Sequence, residues 1–409
     1  MCRAARAAAR DLAPRDRAAK DAALRALAGG LRAHAAAIAR ANDADRAAAD
    51  ARGLSAALVD RLRLDEAGVD RVARAVEEIA SLADPVGEVI AETSRPSGIR
   101  VRRVRVPIGV VAMIYEARPN VTAEATALCV KSGNAVVLRG GSEASGTNRA
   151  IAAVIGDALV AAGLPRAAAQ VVPFTDRDAV RALVQEVDNV DLAIPRGGEA
   201  LIRAVVESAR VPVVQHYKGV CHLFLDAGCD AATATRLAVD GKLSRPAVCN
   251  ALECLLVDAG DADRLLPGVA RALEAGGCEL RGCERARAIV PSMRAATDDD
   301  WGREFLDRVL AVRVVDGLGG ALDHVARYGS GHTEAICTRD DAHAEAWRRR
   351  VDAACVVVNA STRFHDGAEL GLGAEIGIAT SRLHWRGPMG LEALTTMKWV
   401  VEGDGQTRG

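Results

Sequence analysis

The sequence predicts an α/β protein whose parallel sheets are covered by helices on both faces. Three observations carry this: an alanine-rich helical start, then two successive alternations of apolar strands with helices, and a short β-branched stretch between the start and the first alternation.

Residues 1 to about 85 have helical periodicity, with breaks expected at Pro14, Gly29-Gly30, Gly53 and Asp84-Pro85. Residues 88–106 alternate with arginines and are interrupted at Pro96-Ser97-Gly98, a hairpin signal. The first alternation places strands at 110–115, 135–139, 170–173 and 190–194, with helices at 122–131, 144–162, 177–185 and 199–208. The second places strands at 222–226, 252–258, 309–315, 335–338 and 354–359. Residues 367–388 read as loop, followed by a short helix and a strand at 397–402. Apolar runs without alternation mark strands buried on both faces, as in a parallel sheet.

A chain of 409 residues, half of them apolar, is long enough for two or three domains. The formal net charge of −1 gives no basic field for nucleic acid. The basic residues are nearly all arginine, so a single arginine points only weakly to an anion site. The ten cysteines contain no Cys-x-x-Cys pair, and Cys278 and Cys283 lack partners for a zinc motif. Most lie in apolar runs and read as buried, reduced thiols, which implies a cytoplasmic protein. The first 17 residues resemble a targeting sequence in their alanine and arginine content. Asp11, Asp16 and the lack of an apolar segment make a surface helix the better reading. No run approaches the roughly 18 apolar residues of a membrane span, so a soluble protein is expected.

Several motif tests fail. No strand leads into Gly-x-Gly-x-x-Gly. Residues 141–148 have P-loop glycine spacing but carry Thr147 in place of the lysine. There is no His-Glu-x-x-His and no Gly-x-Ser-x-Gly, and the eight histidines are scattered, so no metal is expected.

Other segments succeed together. They are Val106-Pro107-Ile108-Gly109-Val110 with Tyr115-Glu116-Ala117-Arg118-Pro119-Asn120-Val121-Thr122, and Lys131-Ser132-Gly133-Asn134 with Arg139-Gly140-Gly141-Ser142-Glu143. Then follow Ser244-Arg245-Pro246-Ala247-Val248-Cys249-Asn250, Arg327-Tyr328-Gly329-Ser330-Gly331-His332-Thr333-Glu334 and Asn359-Ala360-Ser361-Thr362-Arg363-Phe364. In this order, over nearly the whole chain, they resemble the aldehyde dehydrogenase superfamily and, within it, the γ-glutamyl phosphate reductase family.

The resemblance implies an aldehyde-dehydrogenase-like fold. Residues 1–87 and 107–219 would form the NADP-binding domain, with 373–394 returning to it. Residues 220–372 would form the catalytic domain, and 88–106 with 395–409 an oligomerisation flap of at least a homodimer. Cys249 would be the nucleophile, since a loop thiol beside a basic residue can ionise. Cys254, inside the next strand, would be packing. Asn120 would hold the oxyanion together with the backbone N–H at Cys249; the bland alternative is a turn asparagine after proline.

For the cofactor, Arg139 would sit near the adenosine ribose. Ser142 stands where NAD-preferring members carry a glutamate, so NADPH is expected, although the neighbouring Glu143 would reverse this if shifted by one residue. Gly197 and Gly198 would offer helix N-terminal N–H groups to the pyrophosphate, and Glu304 would grip the nicotinamide ribose. Arg118, Lys218, Arg245, Ser361, Thr362 and Arg363 are candidates for the substrate's phosphate and carboxylate, or for structural ion pairs.

Hydrolysing members of the superfamily carry a water-activating glutamate in Glu-Leu-Gly-Gly. The corresponding stretch here, His216-Tyr217-Lys218-Gly219-Val220-Cys221-His222, has no carboxylate. That disfavours oxidation to a free acid. The expected activity is NADPH-dependent reduction of γ-glutamyl 5-phosphate to glutamate 5-semialdehyde, the second step of proline biosynthesis. Two alternatives stay open: another acyl-phosphate- or CoA-dependent aldehyde dehydrogenase, and a non-catalytic nucleotide-binding partner of glutamate kinase.

Overall fold

Alanine-rich periodicity builds five helices at the start of the chain: Cys2–Leu12, Arg17–Ala33, Ala35–Ala51, Ala56–Arg61 and Glu66–Ser81. Asp16, Ser55 and Asp65 each cap a helix by accepting a backbone N–H from its first turn. The break expected at Gly29-Gly30 does not occur, because Arg17–Ala33 runs through it. A Cβ on Gly30 would lie 2.7 Å from Cγ1 of Val154. This glycine therefore permits close packing on helix Ser145–Ala161 rather than a turn, at a helix-propensity cost of about 1 kcal/mol.

The structure is a computed structural model that describes residues 1–408, the side chain of Ala57 apart. It separates into two units, one of Met1–Gln215, Gly371–Gly377 and the residues from Met389 onward, the other of His216–Leu370 and Ile378–Pro388. In the first unit, strands Val89–Ser94 (β1) and Arg100–Pro107 (β2) form the expected hairpin. Strands Val110–Tyr115 (β3), Ala135–Gly140 (β4), Ala169–Val171 (β5) and Leu192–Arg196 (β6) form a parallel sheet in the order β5-β4-β3-β6. β3 is wholly buried, as its unbroken apolar run requires.

The second unit holds strands Cys221–Leu225 (β7), Leu252–Asp258 (β8), Glu279–Gly282 (β9), Arg294–Ala295 (β10), Val309–Val315 (β11), Thr333–Cys337 (β12) and Cys355–Val358 (β13). They make one parallel sheet in the order β10-β9-β11-β8-β7-β12-β13. Leu223, Leu255 and Val257 pack one face, and Phe224, Leu256 and Trp347 the other. β9 and β10 are short strands at one end of the sheet that apolar patterning did not anticipate; β9 has only alternate residues buried.

Residues 378–388, expected with the first unit, belong to the second. There Ile378–Ala379 (β14) pairs with Gly387–Pro388 (β15), while Arg386 reaches Asp352 at 2.6 Å. The last strand, Thr395–Glu402 (β16), pairs antiparallel with β2 along its length, completing a three-stranded flap. Among the described residues, no helix is long and apolar enough to cross a membrane.

Candidate active site

In the first unit the register of β3 with its neighbours brings Tyr115, Gly140 and Arg196 to a common edge. The turns that follow these strand ends carry Arg118, Asn120, Ser142, Gly197 and Gly198. The carboxyl edge of a parallel sheet is where such folds bind nucleotides.

Asn120 opens helix Val121–Lys131 without capping it. Its Nδ2 instead donates to Oε2 of Glu124, one turn on, at 3.0 Å. Burial raises the Glu124 carboxyl, while Asn120 and the nearby Arg196 and Arg118 pull it back. Because Glu124 accepts only one of the two amide hydrogens, the contact fixes which way the amide faces.

Ser142 is exposed at the start of the turn Ser142–Ala144. The adjacent Glu143 folds back, its Oε1 accepting the Ala117 N–H at 2.6 Å. Ala117 has φ 45°, a strained value for a residue with a Cβ, so the contact holds a tight turn in place. Arg139 is buried, and its Nη2 donates to the carbonyls of Thr175 and Asp176 at 2.5 and 3.1 Å. It pins that loop to the end of β4. Gly198 precedes helix Glu199–Ser208, and its N–H donates to Glu116 at 3.3 Å. A side chain on Gly197 would collide with Glu116 and Leu201.

In the second unit Cys249 is half-buried on the loop between helix Ala231–Leu243 and β8. A fully buried ion pair brackets that loop: Lys242 Nζ, on the last turn of the helix, meets Glu253 Oε2 on β8 at 2.6 Å. Burial raises the Glu253 carboxyl, and Lys242 opposes that rise.

The nucleophile's own backbone is tightly held. The Cys221 thiol donates to the Cys249 carbonyl at 3.2 Å. Burial, and then the charge of Glu334, keeps that thiol well above its usual range and so protonated. Gly219 lies so close that a Cβ there would sit 1.9 Å from the Cys249 oxygen. The Gly219 N–H donates to Glu304 Oε1 at 2.9 Å, which brings Glu304 to the Cys249 loop. Lys218 Nζ donates to the Gly302 carbonyl at 2.6 Å.

On the other side, buried Asn250 donates to the carbonyls of Arg363 and His365, and Thr362 donates to the Asn250 carbonyl at 2.8 Å. Ser361 caps the turn by accepting the Arg363 N–H. Among the substrate candidates, Thr362 and Ser361 therefore have structural hydrogen bonds. Arg363 keeps a buried Nη1 with no protein partner, and Arg245 is exposed. Gly219 and Cys221 were not singled out from sequence, because a clash with a carbonyl and a thiol–carbonyl contact leave no spacing signature.

One unit with a parallel sheet whose carboxyl edge suits a nucleotide, and another that presents a loop cysteine, define the class. The chain belongs to the aldehyde dehydrogenase family, whose model matches residues 1–280. That makes a nicotinamide dinucleotide its redox cofactor class. Within the family, the chain is 59% identical over 413 residues to a gamma-glutamyl phosphate reductase of Sorangium cellulosum, covering 100% of this chain and 97% of that protein. It is 60% identical over 395 residues to one from an Anaeromyxobacter species, covering 95% and 92%. A crystal structure of the gamma-glutamyl phosphate reductase of Thermotoga maritima superposes with a TM-score of 0.98 at 42% identity, covering 100% of this chain and 99% of that one.

Proposed function

We propose that the chain reduces γ-glutamyl 5-phosphate to glutamate 5-semialdehyde and phosphate, with NADPH as reductant, in the second step of proline biosynthesis. The observation that carries this reading is the Cys249 loop. A half-buried thiol stands on a backbone clamped by Gly219 and Cys221, beside an arginine with a buried, unpartnered nitrogen. Full-length identity to reductases of that name supports the substrate.

The Cys249 thiolate attacks the γ-acyl carbon, and the carbonyl electrons move to oxygen. Asn120 donates its second amide hydrogen to that oxyanion, an interaction of a kind typically worth ~3 kcal/mol of barrier. Collapse expels phosphate and leaves a thioester on Cys249. The dinucleotide, when bound, supplies a hydride to the thioester carbon. The resulting thiohemiacetal expels the Cys249 thiolate and releases the aldehyde. Arg363 is the favoured group for the substrate's anionic end, by charge-assisted hydrogen bonding.

The first unit's residues fit the dinucleotide. Ser142 leaves room for a 2′-phosphate, and the Glu143 carboxylate is spent on the Ala117 N–H. Gly197 and Gly198 lie at a helix N-terminus suited to the pyrophosphate, provided Glu116 yields its contact with Gly198. We further assign the flap to pairing with a second copy, on the exposed Val89, Trp399 and Val401. The cytoplasm is the assigned compartment, since among the described residues no disulfide joins any of the ten cysteines.

The test is reverse turnover of semialdehyde with NADP+. It is expected to require phosphate, to refuse CoA and to vanish in Cys249→Ala. Phosphate-dependent turnover surviving in that variant would overturn the mechanism, and a preference for CoA would overturn the substrate.

A further inference from the structure

The parallel register of the second sheet sets Glu334 (β12), His222 (β7) and Cys254 (β8) side by side across three strands. Helix Gly317–Tyr328 lies over that face and adds His324. These residues are all buried, and the proposed reaction uses none of them.

Ligating atoms of His222, Cys254 and His324 all lie within 4.8 Å of one another. Cys254 Sγ is 3.5 Å from His324 Nε2. A tetrahedral zinc ion, with Zn–S of about 2.3 Å and Zn–N of about 2.0–2.1 Å, holds sulfur and nitrogen about 3.5–3.6 Å apart. His222 Nε2 is buried with no partner. Its other nitrogen, Nδ1, is 2.8 Å from Glu334 Oε2. A carboxylate behind the imidazole sets the tautomer with its lone pair on Nε2, the arrangement found behind zinc-bound histidines.

We propose that His222, Cys254 and His324 form a zinc site, with Glu334 as the orienting carboxylate of His222. The thiolate and the Glu334 carboxylate together balance the dication, so the buried assembly carries no net charge. Loading releases two protons to solvent, one from the Cys254 thiol and one from His222 Nε2, which Glu334 otherwise keeps protonated. It also moves the His324 ring proton from Nε2 to Nδ1. Nδ1 now faces Arg313 Nη1 at 3.1 Å, so that contact must open. A surface cavity of about 420 Å³, lined by His324, Arg313 and Tyr328, gives the ion access and gives Arg313 room to turn. The scattered positions 222, 254 and 324 concealed the cluster in the sequence.

The experiment titrates the full chain with Co2+ alone, followed by Zn2+. Expected is near-ultraviolet thiolate-to-cobalt absorption that saturates at one equivalent and is bleached by Zn2+. Cys254→Ser should abolish the band, and His324→Gln should weaken binding about tenfold or more. Arg313→Ala should tighten binding, because the competing contact is gone, and Cys249→Ser should leave it unchanged. Absence of the band in the unsubstituted protein would overturn the proposal whatever the variants do. So would a band that survives Cys254→Ser or disappears with Cys249→Ser. These readouts are binding spectra, so they stand apart from the proposed reductase activity.

Discussion

Gly219→Ala tests whether the backbone clamp positions the nucleophile. A Cβ at Gly219 would sit 1.9 Å from the Cys249 carbonyl oxygen, and real Cβ atoms essentially never come within 3.0 Å. The two must therefore separate by more than about 1 Å (3.0 less 1.9 Å). The obstructing atom is backbone of the nucleophile itself, so no side-chain rotation relieves the clash. The shift also pulls the carbonyl from the Cys221 thiol and disturbs the N–H that Glu304 accepts. A displacement of about 1 Å in a reacting group costs on the order of 100-fold in rate, or ~2.7 kcal/mol of barrier. The assay is kcat for phosphate-dependent reverse turnover, with the rate of Cys249 alkylation as a second readout of thiol position. Gly268→Ala is the control, because its Cβ meets nothing within 4 Å in helix Ala262–Ala275. A Gly219→Ala enzyme with kcat within about threefold of the parent would refute the reasoning, since ~0.65 kcal/mol is too little for the displacement described.

Three further outcomes are expected. Ser142→Glu places a carboxylate at an exposed position beside the expected ribose site, and should lower the NADPH-over-NADH ratio of kcat/KM by about tenfold or more; an unchanged ratio would move the 2′-phosphate elsewhere. Lys242→Met leaves Glu253 buried without its cation, and should cost about 3–5 kcal/mol in urea unfolding. Glu124→Gln should raise the melting temperature at pH 7 while keeping turnover, because the new amide oxygen still accepts from Asn120. The sign follows from the raised Glu124 carboxyl: folding disfavours its ionised form, so the parent loses stability as pH rises from its usual range near 4.5 through its higher folded value. The gap between variant and parent should close below that range, and a gap independent of pH would contradict burial as its cause.

Much of the fold was legible because parallel strands are buried on both faces and so read as unbroken apolar runs. β3 is such a run, and β8 is broken only by Glu253 before it ends at Asp258; every residue of both is buried. The glycine pair in helix Arg17–Ala33 misled, since Gly30 answers to Val154 across a helix contact rather than to its own neighbours. β9 and the second unit's hold on residues 378–388 were hidden for the same reason: strand pairing and ion pairs to Asp352 depend on distant chain.

The site divides along the same line. The family resemblance carried by the segments around Cys249, Asn120 and Ser142 nominated a nucleophile, an amide donor and a cofactor preference. It could not tell that Glu143 folds onto Ala117, that Arg139 is tied to a loop, or that Thr362 braces Asn250. By itself, then, the sequence determined which elements form and which residue types stand at the strand ends, because those follow from neighbours along the chain. Only the tertiary structure decided what each side chain spends its hydrogen bonds on. Those partners lie from 26 residues away, for Glu143 and Ala117, to 112 away, for Thr362 and Asn250, and packing alone brings them together.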